Sequence, residues 1–275
     1  MMNIDFSEIY YLIFYFIVYS VGGWILESVY KSIGERKIVN SGFMYGPYCP
    51  IYGFGTLIMI LALRKITQNI VLLFIVSFVV LSFWEYIVAI LLEKIYHNTY
   101  WDYSKRKFNI KGRVCLLNSM YWGILGVIFM KIIHPFVSKR TVLLPMETII
   151  LIDIIFGTIM IIDVIISSIK TTTISSKFEQ IKELNEKIKD KLEDMKNDEE
   201  LIILKKLQLQ HHKKKMALYK QLIRVKTVFP TMKSEIINKI LNEKIDLKEL
   251  KEKIKETKID AQFIKNKVKN VKREK

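Results

Sequence analysis

Four carboxylates stand inside runs of apolar residues: Glu27, Glu85, Asp153 and Asp163, with Glu93 at the end of such a run. On insertion scales a carboxylate near the bilayer centre costs about 2.5–3.5 kcal/mol, so each is expected to face an interior partner. Side chains of this type can bind a cation, relay a proton or hold a polar substrate. They can equally close a structural network with Arg113, tyrosines or backbone groups. Glu93, at a helix end, can also reach the interface along its own stem.

A second source of polar chemistry is YHNTYWDYSKRKFNIKGRVC, residues 96–115. Its aromatics suit a membrane interface and its bases suit anionic headgroups. Alternatively Trp101, Asp102, Ser104, Asn109 and Arg113 fold back towards the bundle and build a polar pocket with Cys49 and Cys115. Only those two cysteines are present, too few for a disulfide framework and without metal-ligand spacing. A nucleophilic cysteine would need a base, and His97 is the one nearby, whereas a buried cysteine is usually a small hydrophobe. No catalytic residue, cofactor or metal site is therefore assigned.

These side chains have to be positioned by the elements around them, of which Asn40–Gly55, NSGFMYGPYCPIYGFG, is the most constrained. The helix expected from Ile51 to Leu63 rises only about 20 Å, against a hydrocarbon core of roughly 30 Å. Extending it backwards meets Pro47 and Pro50, which lack donors, and glycines, which weaken helices. A broken second helix follows. Irregular backbone at membrane depth is tolerated where it is buried in protein or lines a polar cavity. A glycine-rich packing seam would give the same sequence without any ligand.

Five apolar stretches are evident, Ile9–Tyr30, Gly42–Leu63, Ile70–Leu92, Val114–Ile133 and Leu143–Ile169. Most have the roughly 20 residues that a spanning helix needs. Lys and Arg concentrate after the first stretch, between the third and fourth, and after the fifth, which predicts the N-terminus outside and the C-terminus in the cytoplasm. Glu27, Asn40, Cys49, Glu93, Cys115, Asp163 and the 96–113 loop then fall near the cytoplasmic leaflet, with Glu85 and Asp153 deeper. The opening MMNIDFSE lacks the basic region and cleavage site of a signal peptide, so the first stretch is expected to stay as an anchor.

Mean hydropathy of +0.21 and a formal charge of +16 average over two unlike regions. Residues 1–169 form the expected transmembrane domain and carry 14 Lys+Arg against 10 Asp+Glu. Residues 170–275, a basic cytoplasmic region, carry 29 against 17. Acidic and basic residues interleave there, which fits solvated helix faces rather than nucleic-acid binding. Ile174, Phe178, Ile181, Asn185, Ile188, Leu192 and Met195 follow heptad spacing, as do Leu247, Leu250, Ile254, Thr257, Ala261, Ile264, Val268 and Val271. Such stripes predict a coiled coil and a helical partner, in this tail or on another copy, through 174–195 and 247–271.

The ordered blocks GWILES at Gly23–Ser28, NSGFMYGPYCPIYGFG at Asn40–Gly55, WEY at Trp84–Tyr86, LLEK at Leu91–Lys94, WDYS at Trp101–Ser104, FNIKGRVCL at Phe108–Leu116 and His134-Pro135 resemble a bacterial membrane family of ABC-transporter type IV permeases. In that family the second block begins N-R-G-F, and Ser41 stands here in place of the arginine. The resemblance covers residues from about 20 to 165 and leaves out the heptad tail. It implies a multi-pass protein of the cell membrane acting as the channel part of a transporter. No G-x-x-x-x-G-K-[ST] loop is present, so ATP hydrolysis would require a partner subunit.

The expected fold is thus all-α, a polytopic bundle with a helical tail. The preferred function is a permease-type subunit in contact with membrane lipid, its path shaped by Glu27, Glu85, Asp102 and Arg113. An intramembrane lipid-handling enzyme and a membrane-anchored coiled-coil scaffold are the alternatives.

Overall fold

Hydrocarbon offers no hydrogen bonds, so a long apolar chain satisfies its backbone along its own helix. The computed structural model, which describes residues 6–64, 66–193, 198–234, 237–238, 249, 251–260 and 262, follows this rule closely. Helix α1 spans Phe6–Glu35, α2 Pro50–Leu63 and α3 Ile70–Tyr96. A two-residue hairpin, β1 Asn109–Ile110 and β2 Val114–Cys115, leads into α4, Leu116–Ile128. A π-helical turn, Phe129–Ile133, joins α4 to α5, His134–Thr141, and α6 occupies Met146–Thr172. Among the described residues four helices are long and apolar enough to cross a membrane: Ser7–Glu35, Ile70–Tyr96, the continuous Leu116–Thr141, and Met146–Thr172. The protein is a membrane protein built from these spans.

The second apolar stretch is helical only from Pro50, which lies in the first turn where its missing N–H costs no bond. Its 14 residues are too few to span. Upstream, Gly42 adopts φ +93, a left-handed backbone that permits the irregular approach. Two contacts seat this approach. Met44 and Tyr48 pack with Ile17 of α1 and Met160 of α6, and the Cys49 amide donates to the Ser20 carbonyl at 2.9 Å.

The wide turn in the Leu116–Thr141 span has an identifiable cause. Pro135 has no N–H for the carbonyl four residues back, and the His134 amide instead reaches the Phe129 carbonyl, five residues back. The main core then joins Tyr15 and Tyr19 of α1 to Met59 and Leu63 of α2, Leu73 and Leu81 of α3, Phe129, and Ile149 of α6.

The chain forms two units, Met1–Ile169 with Thr227–Lys233, and Lys170–Lys226 with Ser234–Lys275. The second unit holds α7, Ile174–Glu193, and most of α8, Asp198–Val228. Along the first stripe Ile174, Phe178, Ile181 and Ile188 are buried, whereas Asn185 and Leu192 are exposed. Lys177 donates to Gln221 at 3.1 Å and Lys214 to Gln180 at 3.0 Å, which joins α7 to α8 within the tail. Of the second stripe, Thr257 is buried and Ile254 half-buried in a helical stretch, 251–260. Met195, Leu247, Leu250, Ala261, Ile264, Val268 and Val271 lie outside the described residues.

Candidate functional site

The end of the bundle where α1 finishes, α2 and α4 begin and α3 finishes gathers most of the polar side chains. On α1, Glu27 and Lys31 are one turn apart and pair at 3.4 Å. Glu27 Oε2 also accepts from the Ser41 hydroxyl at 3.1 Å and from the Cys49 thiol at 3.6 Å. Ser41, fully buried, is held for this by its own amide, which donates to Ser28 Oγ at 3.1 Å. A small residue after Asn40 therefore lets the irregular segment close against α1. The cation beside Glu27 comes from Lys31.

Glu85 lies on α3 and is only 5% exposed. Its Oε2 accepts from Trp122 Nε1 at 2.9 Å and its Oε1 from the Tyr103 hydroxyl at 3.3 Å. Asn118 in turn donates to the Tyr103 oxygen at 2.5 Å. Burial, followed by the neighbouring Glu85, pushes the Tyr103 hydroxyl above its ordinary range, so it remains a donor. Tyr52, in the first turn of α2, lies between partners of the two carboxylates: its amide donates to the carbonyl of Cys49, whose thiol meets Glu27, and its ring lies 5.7 Å from that of Trp122, the donor to Glu85. Gly23 makes room for it, because a Cβ there would sit 2.3 Å from the Tyr52 ring.

The remaining carboxylates support backbone or pair with a cation. Asp163 on α6 accepts from the amides of Tyr45 at 3.2 Å and Gly46 at 2.6 Å, and so fixes the irregular segment from the other side. Asn40 works there too, accepting from Trp24 Nε1 at 2.6 Å and donating to the Tyr45 carbonyl at 2.8 Å. Glu93 meets Arg113 through Nε at 3.1 Å and Nη2 at 2.5 Å, with the guanidinium 5.4 Å from the centre of the Tyr86 ring. Asp153 is buried, and neither of its oxygens has a hydrogen-bond partner among the described residues.

The 97–115 loop is organised by its own polar residues. Asn109 donates to the Arg106 carbonyl at 2.8 Å and accepts from the Gly112 amide at 3.0 Å. Trp101 donates to the Arg113 carbonyl at 2.8 Å. Asp102 accepts from both the amide and the hydroxyl of Ser104. Gly112 is required at φ +70, and a Cβ on it would meet Asp102 and Ser104 at 2.6 Å. Cys115 ends β2 as a buried free thiol.

Residues 227–233 return to this surface as a strap. The Val228 carbonyl accepts from Lys31 Nζ at 2.7 Å, and Phe229 lies 4.9 Å from Tyr100 and under the same ammonium at 5.3 Å. Thr99 and Lys233 exchange backbone bonds at 3.1 and 2.9 Å. Lys233 Nζ pairs with Asp102 at 2.7 Å, and this bond, with Ser104 next, holds the Asp102 carboxyl down to about 2.

The sequence-predicted residues thus fall into separate groups. Glu27 and Cys49 meet directly. Glu85 keeps its own donors, Trp122 and Tyr103, with the Tyr52 ring between Trp122 and the Cys49 turn, while Asn40 and Asp163 share the irregular segment. Glu93 pairs with Arg113, and Trp101, Asp102, Ser104 and Asn109 shape the loop. Lys31, Trp122, Asn118 and Lys233 are partners that sequence reasoning did not assign. Of these, only Lys31, one helical turn from Glu27, carried a readable signal.

No group of three or more His, Cys, Asp and Glu side chains suited to a metal occurs among the described residues. A family profile described as Putative ABC-transporter type IV matches residues 14–168, more than half of the chain. No curated protein and no solved structure matches it.

Proposed function

The chain belongs to the Putative ABC-transporter type IV family, and from that premise we propose a membrane-embedded permease-type subunit whose path opens between Glu27 and Glu85. The observation that supports this proposal is that two carboxylates from different spans bind Cys49 and Trp122, which both adjoin Tyr52 beside a non-helical segment. Discontinuous helices of this kind build substrate sites in transporters, where irregular backbone lines a cavity. The polar end is assigned to the cytoplasmic face of the cell membrane, in keeping with the Lys and Arg residues that follow α1 and crowd the 97–115 loop.

ATP hydrolysis comes, on this proposal, from a partner subunit that grips the hairpin loop. There Phe108 is 79% exposed and Ile110 59% exposed, beside exposed Lys105, Arg106 and Lys107. The tail stripes would add a coiled-coil contact with a helical partner or a second copy.

The test is purification of the tagged full chain from its own membranes in mild detergent, with ATPase activity and mass spectrometry of the complex as readouts. An ATPase subunit should co-purify in fixed ratio and be lost on Phe108→Asp with Ile110→Asp. Glu27→Gln should keep the subunit bound but remove substrate-stimulated hydrolysis. Absence of any ATPase from a folded, lipid-retaining preparation would overturn the proposal.

A further inference from the structure

Between α1, α2, α3 and the Leu116–Thr141 helix lies a cavity of about 180 Å³, bordered by Gly22, Leu26, Trp84, Trp122, Phe129 and Ile133. Two adjacent glycines show why it stays open. A Cβ on Gly23 would collide with Tyr52, whereas one on Gly22 would meet nothing within 4 Å. Gly23 is therefore a packing residue, and Gly22 borders unfilled space. The π-helical turn brings both Phe129 and Ile133 to the lining.

The cavity reaches the outer surface of the spans, since Leu26 is 46% and Ile133 42% exposed. Water gains little there: a hydrated cavity needs 2–4 polar partners per molecule, and apolar cavities of about 150 Å³ stay dry but admit hydrocarbon. At mid-span the surrounding medium is acyl chain. At its other limit the cavity abuts the polar site, because Trp122 both lines it and donates to Glu85, and Tyr52, also in the lining, bonds through its amide to Cys49, the thiol donor to Glu27.

We propose that this cavity takes an acyl-chain segment of a bilayer phospholipid, entering sideways past Leu26 and Ile133. The substrate class of the path is then an amphiphile, with its tail in the cavity and its polar end towards Glu27 and Glu85. This last step rests on the permease reading, whereas occupancy of the cavity does not.

The test uses the full chain in vesicles of phosphatidylcholine carrying a photoreactive diazirine in one acyl chain, with adducts mapped by mass spectrometry. Adducts are expected on Met59, Trp122 and Phe129. They should fall at least fivefold in Gly22→Leu, which fills the cavity, while adducts on the outward residues Ile161 and Ile165 of α6 stay constant. Thr56→Leu, from another wall, should give the same loss and serves if Gly22→Leu does not fold. Adducts confined to the outward residues, or lining adducts unchanged in both filled variants, would overturn the assignment. If lining adducts persist while no ATPase subunit is found, the cavity stands as a lipid site and only the permease reading falls. If the ATPase is found without lining adducts, the amphiphile alone is withdrawn.

Discussion

Glu85 and Glu27 each bind a neighbour of Tyr52, Trp122 and Cys49 respectively, yet they are held in opposite ways. Glu85 is sealed and accepts from the neutral donors Trp122 and Tyr103, with Asn118 behind the second. The Glu27 side chain is 28% exposed, faces a cation, and shares that cation with the Val228 carbonyl of the strap. The first arrangement fixes three elements in one geometry. The second leaves a charge whose partner can be exchanged. Rigid support and adjustable chemistry are thus divided between two carboxylates, and the division can be tested.

The largest effect is expected at Glu85. Glu85→Ala orphans two half-buried donors, which at about 1–3 kcal/mol each should lower stability by up to roughly 2–6 kcal/mol. Glu85→Gln keeps an acceptor and should lose less than half of that. Thermal unfolding in detergent distinguishes them, and equal losses for both would show that charge, not hydrogen bonding, holds this side together. Glu27→Gln should cost within about 1 kcal/mol, because its bonds are partly solvated and the amide still accepts from Ser41.

Coupling to the strap sharpens the contrast. A double-mutant cycle of Lys31→Met with Phe229→Ala should give an interaction of about 1 kcal/mol, since the two side chains touch. The cycle of Glu85→Gln with Phe229→Ala should fall within about 0.5 kcal/mol of additivity. Coupling of similar size in both cycles would mean that the strap acts on the whole bundle end.

The smallest expected effect is one of pH. Because Asp102 is held down to about 2, against about 3.9 in an unfolded chain, its pairing with Lys233 is fully present above the higher value. It should disappear as pH falls through the lower one. Proximity of the strap to the loop, read by a fluorescent pair, should be unchanged from about pH 7 to 5 and decline between about 4 and 2. Lys233→Met should remove that transition, and a strap that releases near neutral pH would exclude Asp102 as its anchor.

Much of the bundle could be read from apolar run length and proline placement. The short α2 and the irregular approach to it follow from those signals. Periodicity reports which face of a helix is apolar, but not which donor meets a carboxylate across an interface. Glu85 was therefore visible as costly, while Trp122, 37 positions away, was not identifiable as its donor. Asp102, Ser104 and Asn109 were candidates for a pocket. They mainly bind their own loop, as short polar side chains near turns commonly do. Lys233 meets Asp102 across more than a hundred intervening residues, a pairing that no local spacing encodes.

The strap also changes what the length of the tail means. Residues 170–226 run from the end of α6 to the strap, whose Lys233 is fixed on Thr99 and Asp102, so they form a closed excursion. Closing a flexible loop twice as long costs only about 0.6 kcal/mol more. Insertions between α7 and α8 should consequently be tolerated, extending the excursion while its two moorings stay in place.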